Sequence, residues 1–508
     1  MESVLPDRAQ VLIIGGGVVG CSVAYHLARR GWTDVVLLER NQLTSGTTWH
    51  AAGLITTARP TSAMRRVVKR SIEVFETLEA DTGLSTGWEQ TGTLHLATNA
   101  PRWEELLRQA SVTKPDDIEV AVLNVEATIA KYPLLSADGL VGSLFYPGDG
   151  RGNATDTTMS LARGARNRGV QIFENIGVAG IRRDGRRVTG VDTPAGSIEC
   201  EYVVNCGGMW GREIGAMAGV QVPLQALAHY YVITEAIPGL ARGLPTIKSS
   251  DEWTYVKNEG DGLMVGFFEP GSYPWQPHGI PGDAAFVQLP DDWDHLGPFY
   301  AGVMERIPAL ADAGIRLFFG GPESFTPDGV YHFGEAPELQ NFFIAAGFNS
   351  TGFLTGPGIG SVMADWLVDG RPPSISRKRI RRASCHTRPT VDSSSNESLR
   401  HSTSPTTCTG RTTNGAVPAR CGAAPYMRRR QTAARCSASS VAGSVPTGSL
   451  RQAYRGNIAT RTAARTGSST QLSSIRQYVR RSARSTSRHT ASSRCKAAMH
   501  ARTFSASV

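Results

Sequence analysis

Tryptophan is missing from the last 137 residues of this 508-residue chain, and acidic side chains nearly so. From Pro372 onward there are 25 Lys and Arg, 25 Ser and two acids, with Tyr426, Tyr454, Tyr478 and Phe504 as the aromatics. Such a segment has too little apolar surface to offset the entropy of ordering, so a packed core is excluded there and disorder is predicted. It also carries the chain's basicity. The net charge of +9 divides into +23 for that tail and −14 for Met1–Arg371, which holds 28 basic and 42 acidic residues. Long apolar runs are lacking too: no stretch approaches the ~18 residues of a membrane span, so no membrane partner is expected. Glu2, Asp7 and Arg8 do not make a signal peptide. Ahead of the tail lie only Cys21, Cys200 and Cys206, at spacings that suggest neither a disulfide framework nor a zinc site. A cytoplasmic protein without a metal is the expectation.

What is present begins with a βαβ pattern. Val11–Ile14 reads as a buried strand, Cys21–Arg30 has helical apolar spacing, and Val35–Leu38 reads as a second strand. Between the first two, Gly15-Gly16-Gly17-Val18-Val19-Gly20 fits G-x-G-x-x-G. Gly15 permits a tight turn, Gly17 lets a pyrophosphate approach the backbone, and Gly20 lets helix and strand pack closely. The helix N-terminus, with Val18 and Val19 in the turn that leads into it, offers N–H groups and a positive dipole end to phosphates. Glu39, followed by Arg40, closes the second strand and is placed to accept hydrogen bonds from a ribose. A lone glycine motif is weak; here strand, turn, helix, strand and acid come in order. The motif does not separate NAD from FAD.

The next segment makes that separation. Thr44-Ser45-Gly46-Thr47-Thr48-Trp49-His50-Ala51-Ala52-Gly53-Leu54 resembles the flavinylation segment of the FAD-dependent sarcosine dehydrogenase and dimethylglycine dehydrogenase family, D-amino-acid-oxidase-like flavoenzymes. Read from the residues alone it is a small, hydroxylated loop, and His50 is more readily a structural histidine. The resemblance implies a covalent bond from His50 to the 8α carbon of FAD, with Ser45, Thr47, Thr48, Ala51, Gly53 and Leu54 against the cofactor. It continues to about Pro373. It implies that backbone near Val178 supports the adenine, and that the turn Gly207-Gly208, with Trp210, packs over the nucleotide. It further implies that Phe348-Asn349-Ser350-Thr351-Gly352, after a strand Phe342–Ala345, presents backbone donors to the flavin's pyrimidine end, ahead of a helix from about Gly358 to Leu367.

Between about 214 and 320, Tyr230–Thr234, Trp253–Lys257 and Gly262–Phe267 read as strands of a mostly antiparallel sheet roofing the flavin. In relatives that oxidise N-methylglycines a His and a Tyr face the substrate, which implies His229 and Tyr255 here; core packing is the plain alternative. Arg59 is a candidate partner for a substrate carboxylate.

The fold expected is α/β (α+β by some schemes): a Rossmann-like FAD-binding domain with an antiparallel-sheet substrate domain, then a basic tail. Residues 1–373 form the oxidoreductase, with FAD-binding parts about 7–60, 150–213 and 318–373 and substrate parts about 61–149 and 214–317. The implied reaction is oxidative N-demethylation of a small N-methylated amino acid, with electrons passed to an electron-transfer flavoprotein or oxygen. The rivals are oxidation of another amino acid on the same fold and a noncatalytic regulatory subunit. For 374–508 the readings are a basic arm for nucleic acid or anionic surfaces, a degenerate domain, or out-of-frame translation. The lack of interleaved aromatics disfavours nucleic acid, and the Arg, Ser, Ala, Thr, Pro and Cys mixture favours the last. The tetrahydrofolate-binding region common in this family is not recognisable in it.

Overall fold

A computed structural model describes residues 4–268 and 270–373; the basic tail and the readings attached to it lie outside the described residues. Two eight-stranded sheets organise them. In the first, Arg8–Ile14 lies between Gly196–Asn205 and Val35–Leu38, parallel to both. Gln171–Phe173 continues the sheet on one side and Phe342–Ala346 then His332–Glu335 on the other. Parallel strands covered on both faces need apolar side chains in both directions, and Val11, Leu12 and Ile13 are all fully buried. One face packs on the helices Val18–Arg29, Ser62–Thr82, Ala154–Arg166 and Gly352–Asp369. The other packs on the hairpin Gly180–Asp184/Arg187–Thr193 and the short helix Gly211–Met217.

The second sheet runs Ile315–Phe325, Gln225–Thr234, Gly262–Phe267, Thr254–Glu259, Thr246–Ser249, Thr93–Ala97, Gly142–Tyr146, Ala121–Leu123. Every neighbouring pair is antiparallel except Thr246–Ser249 with Thr93–Ala97. Alternate residues such as Tyr230, Val232, Val256, Val265 and Phe318 face the helix Trp293–Arg306, burying Leu296, Tyr300 and Val303. The opposite face carries the functional side chains.

Several sequence boundaries move. The first helix starts at Val18 rather than Cys21, because Gly17 is its N-cap. The last helix starts at Gly352 rather than Gly358, with Pro357 in its interior. Residues 318–325, expected with the flavin-binding parts, pair with Gln225–Thr234 and so belong to the second sheet. The glycines of the last helix answer to helix packing. A Cβ on Gly358 would lie 2.1 Å from the Val67 carbonyl, and one on Gly360 2.1 Å from Ser22 Oγ.

Helix Ser62–Thr82 is fixed to its neighbours by a buried ion pair. Arg65 Nε donates to Asp116 Oδ2 at 2.7 Å, and the same guanidinium reaches the carbonyls of Arg59 and Val112 at 2.8 Å. Burial alone pushes the Asp116 carboxyl up; hydrogen bonds from Ser62 and Arg65 and the Arg65 charge outweigh it and hold it below its ordinary value. Removing one partner leaves an uncompensated buried charge. Asp116→Ala is expected to cost about 3–5 kcal/mol, read from the denaturant midpoint. Because the folded value is depressed, the pair's contribution is present above the unfolded carboxylate value near 4 and is lost as pH falls below it.

Candidate active site

The glycine turn is forced by its surroundings. Gly15 has φ +109°, and a Cβ there would lie 2.5 Å from the Cys206 carbonyl; one on Gly20 would lie 2.0 Å from the Gly15 carbonyl. Gly17 has one atom within 4 Å of its would-be Cβ, Thr48 Oγ1, so its outer side is open to a ligand. The first helix has no side-chain N-cap of its own, and Val18 N donates to Thr48 Oγ1 at 3.2 Å. Val19 completes this buried first turn. Glu39 takes Gly16 N at 2.7 Å and Asn41 N at 2.8 Å, which pins the turn and leaves one lone pair on each oxygen for a ribose.

Arg40 stacks its guanidinium on Trp210 at 4.5 Å, and Trp210 Nε1 donates to the Pro281 carbonyl at 3.3 Å. Val178 lies in the stretch after Ile176, whose N–H reaches the Glu39 carbonyl at 2.9 Å. Of the glycine pair, Gly207 is confined by Ile214, 2.2 Å from its would-be Cβ, whereas Gly208 (φ +55°) has open space.

In the attachment loop, Thr47 and Ala51 are partly exposed, Ser45 accepts the Phe286 N–H at 2.8 Å, and Gly53 (φ +79°) abuts the Gly152 carbonyl. Leu54 opens a two-residue strand paired with Gly150–Arg151. His50 is 5% exposed, lies 5.3 Å from the Phe319 ring and meets Trp49 edge-on at 5.7 Å. Gly321 makes its room, since a Cβ there would sit 3.0 Å from His50 Nε2. The Pro322 carbonyl is near the ring, yet no well-directed hydrogen bond reaches Nε2. Burial first of all, opposed by the Glu323 charge, keeps the imidazole below its ordinary pKa and therefore neutral.

His229 and Tyr255 share the sheet face on which His50 sits. His229 is directly opposite Gly321 in the register, and its Nε2 is buried without a hydrogen-bond partner. Tyr255 covers Gly266, and both rings flank Phe268, at 5.7 Å for His229 and 5.2 Å for Tyr255. Arg59 is not a surface arginine: its Nε is buried and unpartnered, and its pKa is lowered by burial, against Asp149 nearby. Asp149 Oδ1 accepts Thr57 N and Oγ1 at 2.8 and 2.7 Å, Oδ2 has no partner, and burial lifts the carboxyl to about 6.

At the other end, Gly347 (φ +73°), Asn349 (+51°) and Ser350 (+61°) form a left-handed run ahead of the last helix, and Phe348 stacks on Tyr331. Not all of the expected donors are available. Asn349 N is spent on the Ser324 carbonyl and Thr351 N on that of Phe348, while the Asn349 side chain holds Thr326. Gly352 begins the helix itself.

Sequence reasoning missed Lys248 and His95. They stand in one cross-strand row with Tyr255: His95 opposite Lys248, and Lys248 opposite Tyr255. The signal was a lysine following Thr246-Ile247 in a short, largely buried strand, on the face opposite Ile247.

A Rossmann-type cradle with a roofing antiparallel sheet defines a dinucleotide-dependent redox enzyme. The donor set suits FAD: an open glycine turn at a helix start, and an orphaned imidazole nitrogen on the sheet face. A family profile described as FAD dependent oxidoreductase (DAO) matches residues 10–366, and the chain belongs to that family. It is 43% identical over 380 residues to the mitochondrial sarcosine dehydrogenase of Homo sapiens, covering 72% of this chain and 40% of that one. It is 39% identical to 4-methylaminobutanoate oxidase (formaldehyde-forming) of Paenarthrobacter nicotinovorans, covering 72% and 44%. The chain thus spans less than half the length of these relatives. Among solved structures, L-proline dehydrogenase from P. horikoshii superposes with a TM-score of 0.66 at 27% identity, covering 73% of this chain and 96% of that one.

Proposed function

We propose that this oxidoreductase demethylates a small N-methylated amino acid of the sarcosine or dimethylglycine kind, using FAD held covalently through His50. The observation that carries the reading is the convergence of His50, His229 and Tyr255 on one face of the second sheet. FAD bound there supplies the acceptor for a hydride equivalent leaving the N-methyl carbon. The chain's own work is to hold and orient. The turn Gly15–Gly20 and the first helix hold the pyrophosphate, and Glu39 the ribose. His229 and Tyr255 fix the methyl group's approach. Their low-dielectric surroundings disfavour an ammonium, so the amine keeps the lone pair that stabilises the developing cation. The iminium so formed takes up water and parts into formaldehyde and the demethylated amine.

The names of the two curated relatives support this reading, since both denote oxidation of N-methylamino acids. The proline dehydrogenase similarity supports a second reading, oxidation of an amino acid without an N-methyl group. The electron acceptor is proposed as an electron-transfer flavoprotein or oxygen. Anaerobic bleaching of the flavin by sarcosine, dimethylglycine, proline and glycine separates the two substrate readings. The expected result is bleaching by the N-methyl compounds with one formaldehyde per flavin. Bleaching by proline or glycine alone would establish the second reading.

A further inference from the structure

We propose that Lys248, with Arg59 and His95, forms a subsite that takes the substrate's carboxylate beside Tyr255. The proposal rests on the amino-acid-oxidising reading above and names how such a substrate is held.

The register places the group. His95, Lys248 and Tyr255 are directly opposite one another on three adjacent strands, so their side chains leave the same face about 5 Å apart. That face bears His229 and His50 further along. Arg59, in the segment that follows the attachment loop, is close enough for its charge to act on both His95 and Lys248. Its Nε and His95 Nε2 are buried without hydrogen-bond partners, as is the hydroxyl of Tyr146, whose ring lies 5.0 Å from His95. Buried polar atoms left open are uncommon in folded proteins and point to a missing polar partner.

Charge gives the sign of that partner. The charged groups around Lys248 are Arg59 and Arg102, set against Asp149 and Glu105, with neutral His95 alongside. Arg102 is already satisfied, by Asp251 at 2.9 Å and Glu105 at 2.6 Å. Of charged groups, that leaves Lys248 and Arg59 facing Asp149 alone; the Phe268 ring lies 5.8 Å from the Lys248 ammonium, and among the described residues neither cation makes an ion pair. Both keep some accessible surface, yet lost hydration lowers both, and Lys248 falls to about 7. One uncompensated positive charge calls for one anion. A carboxylate meets both the charge and the geometry, accepting from an ammonium and a guanidinium at once. A plain N-methylamine has nothing to place there.

Because the free ammonium titrates near neutrality and a bound carboxylate favours its charged form, binding above pH 7 draws in a proton. Affinity should fall as pH rises past 7, and should rise below about 6, where protonation of Asp149 removes the opposing negative charge.

The test uses the flavin-loaded enzyme and two probes that have no amine to oxidise: methoxyacetate, shaped like sarcosine, and neutral methoxyacetamide. Binding is read from the flavin's visible spectrum. Methoxyacetate should bind at least tenfold more tightly than the amide and show the pH dependence just described. Lys248→Met should weaken methoxyacetate by ten- to a hundredfold, as expected for a lost charged hydrogen bond. Lys248→Arg should keep most of the affinity and flatten the pH profile above pH 7, since a guanidinium stays charged. Equal binding of acid and amide to the wild type, or unchanged affinity in Lys248→Met, overturns the subsite. The amide comparison needs no mutation, so a misfolded variant does not blunt it. If the probes behave as described but no N-methylamino acid bleaches the flavin, the subsite stands and the demethylase reading alone fails.

Discussion

Gly20→Ala is expected to yield protein almost free of flavin. The added Cβ would lie 2.0 Å from the Gly15 carbonyl oxygen, well inside any real contact, and that oxygen is backbone. Gly15 has nowhere to retreat: it holds φ +109° and its own would-be Cβ position is 2.5 Å from the Cys206 carbonyl. The helix start must therefore swing away from the turn, which separates the N–H groups from the site of the pyrophosphate. Overpacking of a rigid contact costs about 1–3 kcal/mol in ordinary cores, and here the displaced atoms are the binding groups themselves. A loss of about a hundredfold or more in FAD affinity follows from the upper end of that range. The ratio of visible to ultraviolet absorbance in purified protein checks it. Gly148→Ala is the control, because nothing lies within 4 Å of the added carbon and φ is not left-handed. A Gly20→Ala protein with a full complement of flavin would falsify this account of the turn.

The turn was legible because each of its requirements is local. Apolar Val11–Ile14, three glycines and an acid at the end of the next strand are all within 25 residues of Gly15. The substrate face was legible only in pieces. His229 and Tyr255 came from resemblance, whereas Lys248 and His95 were overlooked because their row is assembled from strands more than 150 residues apart. The parallel pairing of Thr246–Ser249 with Thr93–Ala97 leaves no mark in either segment's sequence. The last helix failed for a different reason. Its start was placed at Gly358 instead of Gly352, whereas Gly356 and Gly358 lie inside the helix and face Val18 and Val67, contacts between helices that neither segment shows by itself. Asn349 shows the limit at the donor loop: resemblance implies a flavin contact, while its side chain is engaged with Thr326.

His50→Ala should separate flavin binding from flavin attachment. After acid precipitation of the wild type, the yellow colour is expected to remain with the pellet; in the variant it should pass wholly into the supernatant. Burial keeps the imidazole neutral, so a nitrogen lone pair is available at neutral pH, and Nε2 is the atom left without a partner. Phe319, Trp49 and Gly321 hold the ring in one place, which suits a bond that must form at a single carbon. None of the contacts that hold Gly15, Gly20 and Glu39 involves His50, so the variant should still bind FAD reversibly, and added FAD should restore colour. Its turnover should nonetheless fall, on the order of tenfold or more, because alkylation at the 8α position raises the flavin's potential and favours accepting a hydride from an amine. Truncation here also opens a cavity beside Phe319, and Phe→Ala-sized losses set the ceiling at about 3–5 kcal/mol of stability. His50→Asn fills part of that space while still lacking a ring nitrogen, so it should behave like the alanine variant in the pellet test and better in denaturation. Colour retained in the pellet by either variant would assign the attachment to another residue, and colour lost from the wild-type pellet would remove the bond altogether.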